Sequence, residues 1–299
     1  MERNIKDSQN FLHNNQLVKK LVEKSNITRD DTVYEIGPGK GIITRALLGR
    51  CKKLVAVEYD VELYRRLQEQ IKNERNLVLL HRDFLTIDLP QEPYKVFSNI
   101  PFNMTADILT KLLTGDNTPI DLYLVMQMQA VYKYAGEPFC LDGFKSLLFK
   151  PNYDIQIVHE FAKTDFAPSP NVMAVFAHFH KKEYCDIKKV PLMDYWDFLA
   201  YIFSAPGKFF NEKTKKVFSY EQQKRLRKQL EIHERAFISE WTYKQWLAMF
   251  EAYSEMVSPA KKKLVMGAYN QFLANQAKID KLHRDRSKLT RDSSAKDFV

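Results

Sequence analysis

Residues 33–41 read VYEIGPGKG, and this stretch decides the fold of the 299-residue chain. A short apolar run leads into glycines spaced as G-x-G-x-G, and a helix-like run, residues 42–48, follows. A strand, a tight glycine turn and a helix are typical of a nucleotide-binding α/β sheet, in which Gly37 and Gly39 would let the backbone approach a ligand closely. The spacing lacks the third glycine of the dinucleotide fingerprint, and no Gly-Lys-Ser/Thr closes a phosphate-binding P-loop.

Polar residues follow three later apolar runs, where strands of such a sheet would end. They are Glu58 after residues 54–57, Asp83 after residues 77–80 and Asn99 after residues 95–98. Ligands of an open α/β sheet bind outside the carboxyl ends of its strands, so these side chains should converge with the glycine turn on one crevice. Glu58 ends the second strand and is placed to hold ribose hydroxyls, although an ordinary surface acid before a helix would have the same sequence.

Asn99-Ile100-Pro101-Phe102 combines an amide, a rigid turn and an aromatic face. Asn99 can offer its side-chain carbonyl to the exocyclic NH2 of a nucleobase, and Pro101 leaves the Ile100 carbonyl free to accept a second hydrogen bond. Phe102 gives a ring on which a base can stack. A strand that simply ends in an Asn-X-Pro turn would look the same. Beside the other strand ends, the four residues predict a site that holds a flat base while its amino group reacts.

The charge of the chain is concentrated in its C-terminal part. Residues 1–180 contain 22 Lys and Arg against 22 Asp and Glu, whereas residues 181–299 contain 24 against 15, which accounts for the net charge of +9. Cations that neutralise phosphates release counterions and add affinity for a polyanion. Charge that only aids solubility is the alternative. Next to a base-holding motif, the asymmetry favours RNA as the partner.

Hydrophobic patterning predicts two domains and a tail. Strands and helices alternate through residue 126, which is typical of a doubly wound parallel sheet, and residues 154–161 and 172–179 predict an antiparallel pair of late strands. Helices follow in the C-terminal part at residues 194–203, 220–229, 243–255 and 259–276. The predicted divisions are a catalytic domain at 1–185, an all-helical RNA-binding domain at 186–277 and a charged, disordered tail at 278–299.

The cysteines and the lack of long apolar runs predict the surroundings of the protein. Cys51, Cys140 and Cys185 form no C-x-x-C pair, which argues against structural zinc or a disulfide framework and for a reducing cytosol. The N-terminus is polar and no apolar stretch approaches the length of a membrane span. We therefore expect a cytoplasmic monomer that binds no metal and no membrane.

Six short motifs resemble, in order, those of the rRNA adenine-N6 dimethyltransferase family, which uses S-adenosyl-L-methionine. The matching stretches are residues 8–12, residues 35–41, Glu58, Asp83-Phe84, residues 99–102 and residues 166–172. Each motif is weak alone, but six in the right order over about 170 residues are specific. The resemblance implies a class I methyltransferase, with a Rossmann-like α/β sheet of seven strands and a small C-terminal all-helical domain.

The resemblance also implies roles for individual residues. Gln9 and Asn10 would line the methionine end of the cofactor, with Leu12 beside them in the same motif. Asp83 would accept the amino group of the cofactor adenine, and Phe84 would pack on that ring. The further cofactor-binding residues would be Gly37, Gly39, Glu58 and Asn99.

Two aromatic residues would enclose the target adenine once it has left its stack. Phe102 supplies one face and, by resemblance, Phe166 supplies the other. The alternative for Phe166 is a core aromatic behind a loop. Pro168 and Pro170 hold that loop extended and favour the functional role.

The family has two branches, which act on different rRNAs. The opening residues 4–11, Ile100 where KsgA-type enzymes usually have Leu, and the run of residues 195–218 resemble the Erm branch, which acts on 23S rRNA and confers macrolide resistance. Phe102 replaces the Tyr more frequent in Erm enzymes. The sequence thus predicts methylation of adenine N6 in 23S rRNA, with resistance to macrolides, lincosamides and streptogramin B.

Three alternatives stay open at this point. A KsgA-type enzyme would act on small-subunit rRNA, although the Arg-Arg-Lys run typical of its second domain is absent. A non-catalytic RNA-binding relative would have lost turnover, against which the intact Asn99, Phe102 and Glu58 argue. A nicotinamide-dependent oxidoreductase is disfavoured by the glycine spacing, and calorimetric titration with NAD and S-adenosylmethionine separates it from a methyltransferase.

Overall fold

A computed structural model describes residues 10–276 and residue 278, and these divide into two compact units. The N-terminal unit runs to Cys140 and resumes at Asn152–Tyr184. The C-terminal unit contains Leu141–Pro151 and the described residues from Cys185 onward. The segment Leu141–Pro151 thus belongs to the C-terminal unit. The predicted division, with one boundary after residue 185, assigned this segment to the catalytic domain. The predicted tail, residues 278–299, lies outside the described residues except for residue 278.

Seven strands of the N-terminal unit form one sheet. The described strands are β1 (Phe11–Leu12), β2 (Thr32–Ile36), β3 (Lys53–Glu58), β4 (Leu77–His81), β5 (Lys95–Asn99), β6 (Asp121–Gln127), β7 (Tyr153–Glu160), β8 (Phe166–Ala167) and β9 (Ala174–Lys181). The sheet order is β4-β3-β2-β5-β6-β9-β7, in which β9 runs antiparallel to both β6 and β7 and the other pairs are parallel. The predicted Rossmann-like sheet of seven strands, with its antiparallel late pair, is confirmed.

The described part of the N-terminal unit also contains five α-helices. They are α1 (Asn15–Lys24), α2 (Ile42–Leu48), α3 (Val61–Gln70), α4 (Thr105–Thr114) and α5 (Met128–Ala135). Side-chain caps fix where two of them begin: Asn14 accepts a hydrogen bond from the N–H of Leu17, and Asp60 accepts from the N–H groups of Glu62 and Leu63. The central strands β3 and β6 are buried almost throughout, as expected for parallel strands covered on both faces. Because the strands from β4 through β6 in the sheet order run parallel, their carboxyl ends lie at the same edge of the sheet.

The described part of the C-terminal unit is helical. Its helices include α6 (Phe144–Phe149), α7 (Leu192–Ser204), α8 (Phe210–Thr214), α9 (Tyr220–Gln229), α10 (Tyr243–Met256) and α11 (Pro259–Lys262). Aromatic side chains form much of its core: the ring of Trp246 lies 5.4 Å from that of Phe203 and 4.9 Å from that of Trp241. Across the described residues, no helix is long and apolar enough to span a membrane.

The prediction of a single helix at residues 259–276 is wrong. The helix α11 ends at Lys262, Gly267 has a φ of +80°, and residues 268–276 form a separate helix. The carboxylate of Asp197 accepts hydrogen bonds from the N–H of Gly267 at 2.7 Å and the N–H of Tyr269 at 2.9 Å. A left-handed glycine and an acid that caps a new helix start therefore break the pattern.

Candidate active site

The glycine turn after β2 is shaped by contact with the N-terminal segment. Gly39 has a φ of +57°, and a Cβ there would stand 2.7 Å from Cε1 of Phe11, so no side chain fits. The amide of Gly37 donates to the carbonyl of Val57 at 2.9 Å, which ties the turn to the end of β3. The turn thus reaches the neighbouring strand end through backbone atoms alone.

Glu58 ends β3 and braces the glycine turn. Its Oε2 accepts the N–H of Gly39 at 3.0 Å and its Oε1 accepts the N–H of Asp60 at 2.8 Å. Burial raises the pKa of Glu58, and the hydrogen bonds from Asp60 and Gly39 oppose that rise. Each carboxylate oxygen still has a lone pair for a further donor, such as a ribose hydroxyl.

Asp83 and Phe84 follow β4 at the same edge. Asp83 Oδ1 accepts the N–H of Leu85 at 2.9 Å, which opens a short 3₁₀ turn and places Phe84 with only 4% of its surface exposed. The Nζ of Lys111 lies 5.7 Å from the centre of the Phe84 ring. An acid with spare lone pairs and a fixed aromatic ring are suited to an adenine amino group and its π face.

The side chain of Asn99 has a defined orientation. Its Nδ2 donates to the backbone carbonyl of Asn10 at 2.8 Å, and since only the amide nitrogen can donate, Oδ1 remains as an acceptor. The strand end is held by Ser98, whose Oγ donates to the carbonyl of Ile36 at 2.5 Å. The N–H of Ile100 donates to the carbonyl of Val125 at 3.3 Å, whereas no donor among the described residues reaches the Ile100 carbonyl. Two neighbouring acceptors are therefore available.

Phe102 opens a 3₁₀ turn, residues 102–104, that leads into α4. The N–H of Met104 donates to the carbonyl of Pro101 at 2.9 Å, and the hydroxyl of Thr105 donates to the carbonyl of Phe102 at 3.0 Å. The ring of Phe102 is partly buried against the core of the unit and lines the cleft described next. The turn thus fixes an aromatic face beside the two acceptors.

One cleft of about 210 Å³ brings most of the predicted site residues together. Its lining includes Asn10, Gly37, Gly39, Glu58, Asp83, Phe84, Asn99, Ile100, Pro101 and Phe102. These residues come from the N-terminal segment and from the carboxyl ends of four strands. The residues that the sequence placed at the strand ends therefore lie together in a single cleft of the structure.

Three predicted residues do not line this cleft as described. Gln9 lies outside the described residues. The side chains of Leu12 and Phe166 are each 3% exposed within the hydrophobic core, and the two residues pair across β1 and β8. The Phe166 ring packs edge-on against Phe161 at 5.2 Å. In this structure Phe166 occupies the alternative position, that of a core aromatic behind the loop.

Several lining residues carried no predicted role. They are Phe11, Ile36, Val57, Tyr59, Arg82, Met104 and Ile108. Phe11 belongs to the motif of residues 8–12 and supports the glycine turn, with the Nζ of Lys40 5.0 Å from its ring centre. Tyr59 is half exposed beside Glu58. The sequence signal that could have identified Tyr59 is its place as an aromatic residue directly after the acid that ends β3.

One cluster of potential metal ligands occurs in the described residues, at Asp121, His178 and His180. A ring nitrogen of each histidine lies 2.7 Å from Asp121 Oδ1, and Lys95 Nζ lies 3.8 Å from Oδ2. Burial favours a neutral Asp121, but hydrogen bonds from both histidines and Asn26 hold its pKa below the usual range. Ligands on tetrahedral zinc are separated by about 3.3 Å, so this spacing is that of a hydrogen-bonded cluster.

The sheet order and the cleft at its carboxyl edge are those of a Rossmann-like α/β fold of the kind found in methyltransferases. Residues 1–255 match the model of the ribosomal RNA adenine dimethylase family. The chain belongs to this family and is an rRNA adenine N6-methyltransferase that uses S-adenosyl-L-methionine. The family, the enzyme class and the cofactor that the motifs predicted are thereby confirmed.

Curated relatives extend over most of the chain. An rRNA adenine N-6-methyltransferase of Bacillus anthracis is 28% identical over 249 residues, covering 83% of this chain and 86% of the relative. One of Escherichia coli is 29% identical over 256 residues, covering 85% and 97%. The ribosomal RNA small subunit methyltransferase A of Clostridium botulinum is 32% identical over 173 residues, covering 56% and 63%.

Solved structures share the fold. The crystal structure of the 23S rRNA methyltransferase ErmE superimposes with a TM-score of 0.74 at 22% identity, covering 82% of this chain and all of that one. A dimethyladenosine transferase from Plasmodium falciparum has a TM-score of 0.67 at 17% identity, covering 83% and 98%.

The cleft fits the cofactor of the family. Gly37 lines the cleft, and a Cβ built there would meet no protein atom within 4 Å, so space for a ligand lies against the backbone. Glu58 and Asp83 offer acceptors to the ribose hydroxyls and the adenine amino group, and Phe84 offers an aromatic face. When bound, S-adenosylmethionine supplies a methyl group on a sulfonium leaving group.

Proposed function

We propose that this enzyme methylates N6 of one adenine in 23S rRNA, at the turn formed by residues 99–102. The observation that carries the proposal is the hydrogen bond from Asn99 Nδ2 to the Asn10 carbonyl. It leaves the Asn99 Oδ1 as an oriented acceptor beside the unused Ile100 carbonyl. Two acceptors and the ring of Phe102 match the two amino hydrogens and the flat face of adenine.

Methyl transfer to adenine N6 mainly requires correct orientation of the base and hydrogen-bond acceptors held in fixed positions. Adenine N6 donates its lone pair into the ring and is a poor nucleophile. Hydrogen bonds from its two N–H groups to Asn99 Oδ1 and the Ile100 carbonyl favour a geometry in which the lone pair returns to nitrogen. Correct orientation of reacting groups is worth roughly 7 to 11 kcal/mol of barrier. The proton of the ammonium-like product passes readily to water, so no strong base is needed.

The target base must leave its stack, at a cost of a few kcal/mol that aromatic contacts partly offset. Phe102 covers one face of the base. Phe166 can cover the other only when its ring leaves its contact with Phe161, because it is 3% exposed. We keep the stacking role of Phe166 as a proposal that a substitution can test.

The cofactor roles are assigned as follows. Asn10, with Gln9 of the same motif, holds the methionine end, and the buried Leu12 supports this motif from the core. Glu58 holds the ribose hydroxyls, and Asp83 accepts the adenine amino group. Phe84 packs on the adenine ring, while the glycine turn, through Gly37 and Gly39, approaches through its backbone.

The sequence features of the Erm branch support the 23S target over the small-subunit target. Ile100 and residues 195–218, which resemble the Erm branch, support the same choice. The predicted consequence of this methylation is resistance to macrolides, lincosamides and streptogramin B. We propose that the enzyme acts as a monomer.

A small-subunit target is the second candidate, because the identity to the Clostridium botulinum enzyme reaches 32% where the two chains match. Incubation with labelled S-adenosylmethionine and either protein-free 23S or protein-free 16S rRNA separates the two. We expect label in 23S rRNA at a single adenine, incorporated far more slowly when Asn99→Ala replaces the wild-type enzyme. Label in 16S rRNA alone would establish the second candidate instead.

A further inference from the structure

The cluster of Asp121, His178 and His180 lies at the edge of the sheet opposite the cleft. Asp121 is the first residue of β6, and it pairs in register with Lys95, the first residue of β5. Asn99 ends β5 at the cleft, so at about 3.3 Å per residue the length of this strand separates the two edges by roughly 13 Å. The cluster therefore takes no part in the methyl-transfer site.

The strand register places the three side chains on one face of the sheet. His178 and His180 alternate along β9 with the fully buried Phe179, whose side chain points to the other face. Across the antiparallel pair, Asp121 stands directly opposite His180, and opposed residues share a face. Two imidazoles and one carboxylate are thus brought together by the backbone alone.

Contacts around the cluster hold two of its members in place. The ring of His178 stacks on that of Tyr123, with centroids 4.2 Å apart and planes 10° apart. Asn26 Nδ2 donates to Asp121 Oδ2 at 2.9 Å, and Lys95 Nζ lies 3.8 Å from the same oxygen. Contacts of this kind orient the carboxylates that bind metal ions. They leave Asp121 Oδ1 directed at the two histidines.

The cluster is open to solvent on one side and carries negative charge. The side chain of His180 is 51% exposed, against 1% for that of Asp121. Lys95 shares its charge with Asp31, whose Oδ2 lies 3.0 Å from Nζ. With neutral histidines, two carboxylates face one ammonium group, so one negative charge is left over. An entry path and this charge both favour a cation.

We infer that Asp121, His178 and His180 bind a zinc ion, with a water molecule as the fourth ligand. Imidazole nitrogens and carboxylate oxygens bind zinc at about 2.0 to 2.2 Å, and three protein ligands with one water form a tetrahedral site. The expectation that the chain binds no metal came from its cysteines, which play no part in this ligand set.

The hydrogen-bonded cluster and the zinc site differ by a small movement. Each histidine nitrogen now lies 2.7 Å from Asp121 Oδ1. Ligand atoms on zinc stand about 3.3 Å apart, so each imidazole must move from the carboxylate by about 0.6 Å. The half-exposed His180 has room for this movement.

Zinc binding does not require the neutral histidines to lose protons to the medium. In the hydrogen-bonded form, each ring donates the N–H that faces Asp121, from Nε2 of His178 and from Nδ1 of His180. On binding, that hydrogen moves through solvent to the other ring nitrogen, and the freed lone pair binds zinc. The ion then joins β6 to β9, which should stabilise the fold.

The test uses the full chain without a histidine tag, because such a tag binds zinc itself. Calorimetric titration with zinc chloride compares wild type, His178→Gln and His180→Gln. The matched control is His233→Gln, since His233 is an exposed histidine outside the cluster. We expect one zinc ion per chain in wild type and control, and binding at least tenfold weaker in each cluster variant. No saturable binding by wild type, or equal affinity in His180→Gln and the control, would overturn the inference.

Thermal unfolding guards the test against a variant that does not fold. His180 is half exposed, so His180→Gln should unfold without zinc at a temperature close to that of wild type. Saturating zinc should raise the unfolding temperature of wild type and of His233→Gln, because the ion binds the folded state. The same rise in His180→Gln would contradict the site.

Cobalt in place of zinc identifies the ligand atoms. Co²⁺ bound by nitrogen and oxygen in a tetrahedral site gives visible absorption bands, and we expect these bands in wild type and their loss in His180→Gln. Ligation by Cys51, Cys140 or Cys185 adds intense near-ultraviolet absorption from the thiolate. Such absorption would show that the ion binds at a cysteine and would overturn the proposed ligand set.

Discussion

The polar side chains that we relate to function differ between the two units in the partners that they have. In the N-terminal unit the acids and amides at the strand ends are bonded to backbone groups, as Glu58 is to Gly39 and Asn99 is to Asn10. In the C-terminal unit an aromatic core underlies the helix α9, on which the exposed Lys224, Arg225 and Lys228 form no ion pair among the described residues. Fixed acceptors suit chemistry, and free cations suit attraction of a polyanion. Substitutions at the strand ends should therefore change rate or cofactor binding, and those on α9 should change RNA affinity.

Asn99→Ala should have the largest effect, because it removes one of the two acceptors for the amino group. We expect the rate of methyl transfer to fall by about a thousandfold or more, with the affinity for S-adenosylmethionine within a few-fold of wild type. Asn103→Ala is the matched control, since Asn103 is an exposed amide in the same turn. Turnover and calorimetry of both variants measure the split. Equal turnover in Asn99→Ala and wild type would remove the proposed role of Asn99.

Glu35 lies beneath the glycine turn and should make stability depend on pH. Burial raises its pKa from 4.5 to about 8, and the nearby Glu58 carboxylate adds to the rise, while neither carboxylate oxygen of Glu35 has a hydrogen-bond partner among the described residues. The folded state thus keeps a proton that the unfolded state releases, so the free energy of unfolding falls as pH rises from about 5 to 8. The neutral Glu35→Gln should remove this fall, which is of order 4 kcal/mol.

Urea titrations of wild type, Glu35→Gln and Glu62→Gln from pH 5 to 9 give these free energies. Glu62 is an exposed acid in the first turn of α3 and is the control. A pH profile of Glu35→Gln that parallels wild type would contradict the assignment to Glu35.

Gly39→Ala should cost about 2 kcal/mol of stability, because a Cβ would strain a left-handed residue and clash with Phe11. Displacement of Phe11 should also weaken cofactor binding. Gly49→Ala is the control: its Cβ would meet no atom within 4 Å and its φ is −84°. Thermal unfolding with and without S-adenosylmethionine compares the two variants. The same loss at both glycines would show that contact with Phe11 does not set the effect.

Phe166→Leu should have the smallest effect on stability, about 1 kcal/mol, because it roughly conserves volume in the core. If Phe166 remains a core residue during catalysis, the variant keeps most of its turnover. If its ring moves to stack on the adenine, turnover should fall at least tenfold while stability changes little. Steady-state kinetics and thermal unfolding of the same preparation distinguish the two roles.

Local chemistry made much of this fold predictable. Each of the strands β2 to β5 ends in, or is followed in the sequence by, a glycine turn or a polar residue. The glycine turn, Glu58, Asp83 and residues 99–102 could therefore be assigned to successive strand ends from the sequence. The helix at residues 220–229 was predicted from its hydrophobic pattern with the observed bounds, and Ser219 and Gln222 form a capping box at its start. Such signals act within a few residues and need no tertiary contact.

The features that sequence reasoning missed depend on distant contacts. The break at Gly267 needs Asp197, which lies 70 residues earlier. The burial of Phe166 depends on its contacts with Phe161 and with Leu12 across β1 and β8. The grouping of Leu141–Pro151 with the C-terminal unit likewise depends on tertiary packing, such as the hydrogen bond from Trp196 to the Leu148 carbonyl at 3.0 Å. No local pattern encodes these pairs.

The identity of the methylated atom tests the acceptor geometry most directly. RNA modified by the enzyme can be digested to nucleosides and analysed by mass spectrometry against standards. Because Asn99 Oδ1 and the Ile100 carbonyl are expected to hold the exocyclic amino group, we expect N6-methyladenosine or N6,N6-dimethyladenosine as the product. A methyl group on a ring nitrogen or ring carbon of adenine would contradict this geometry.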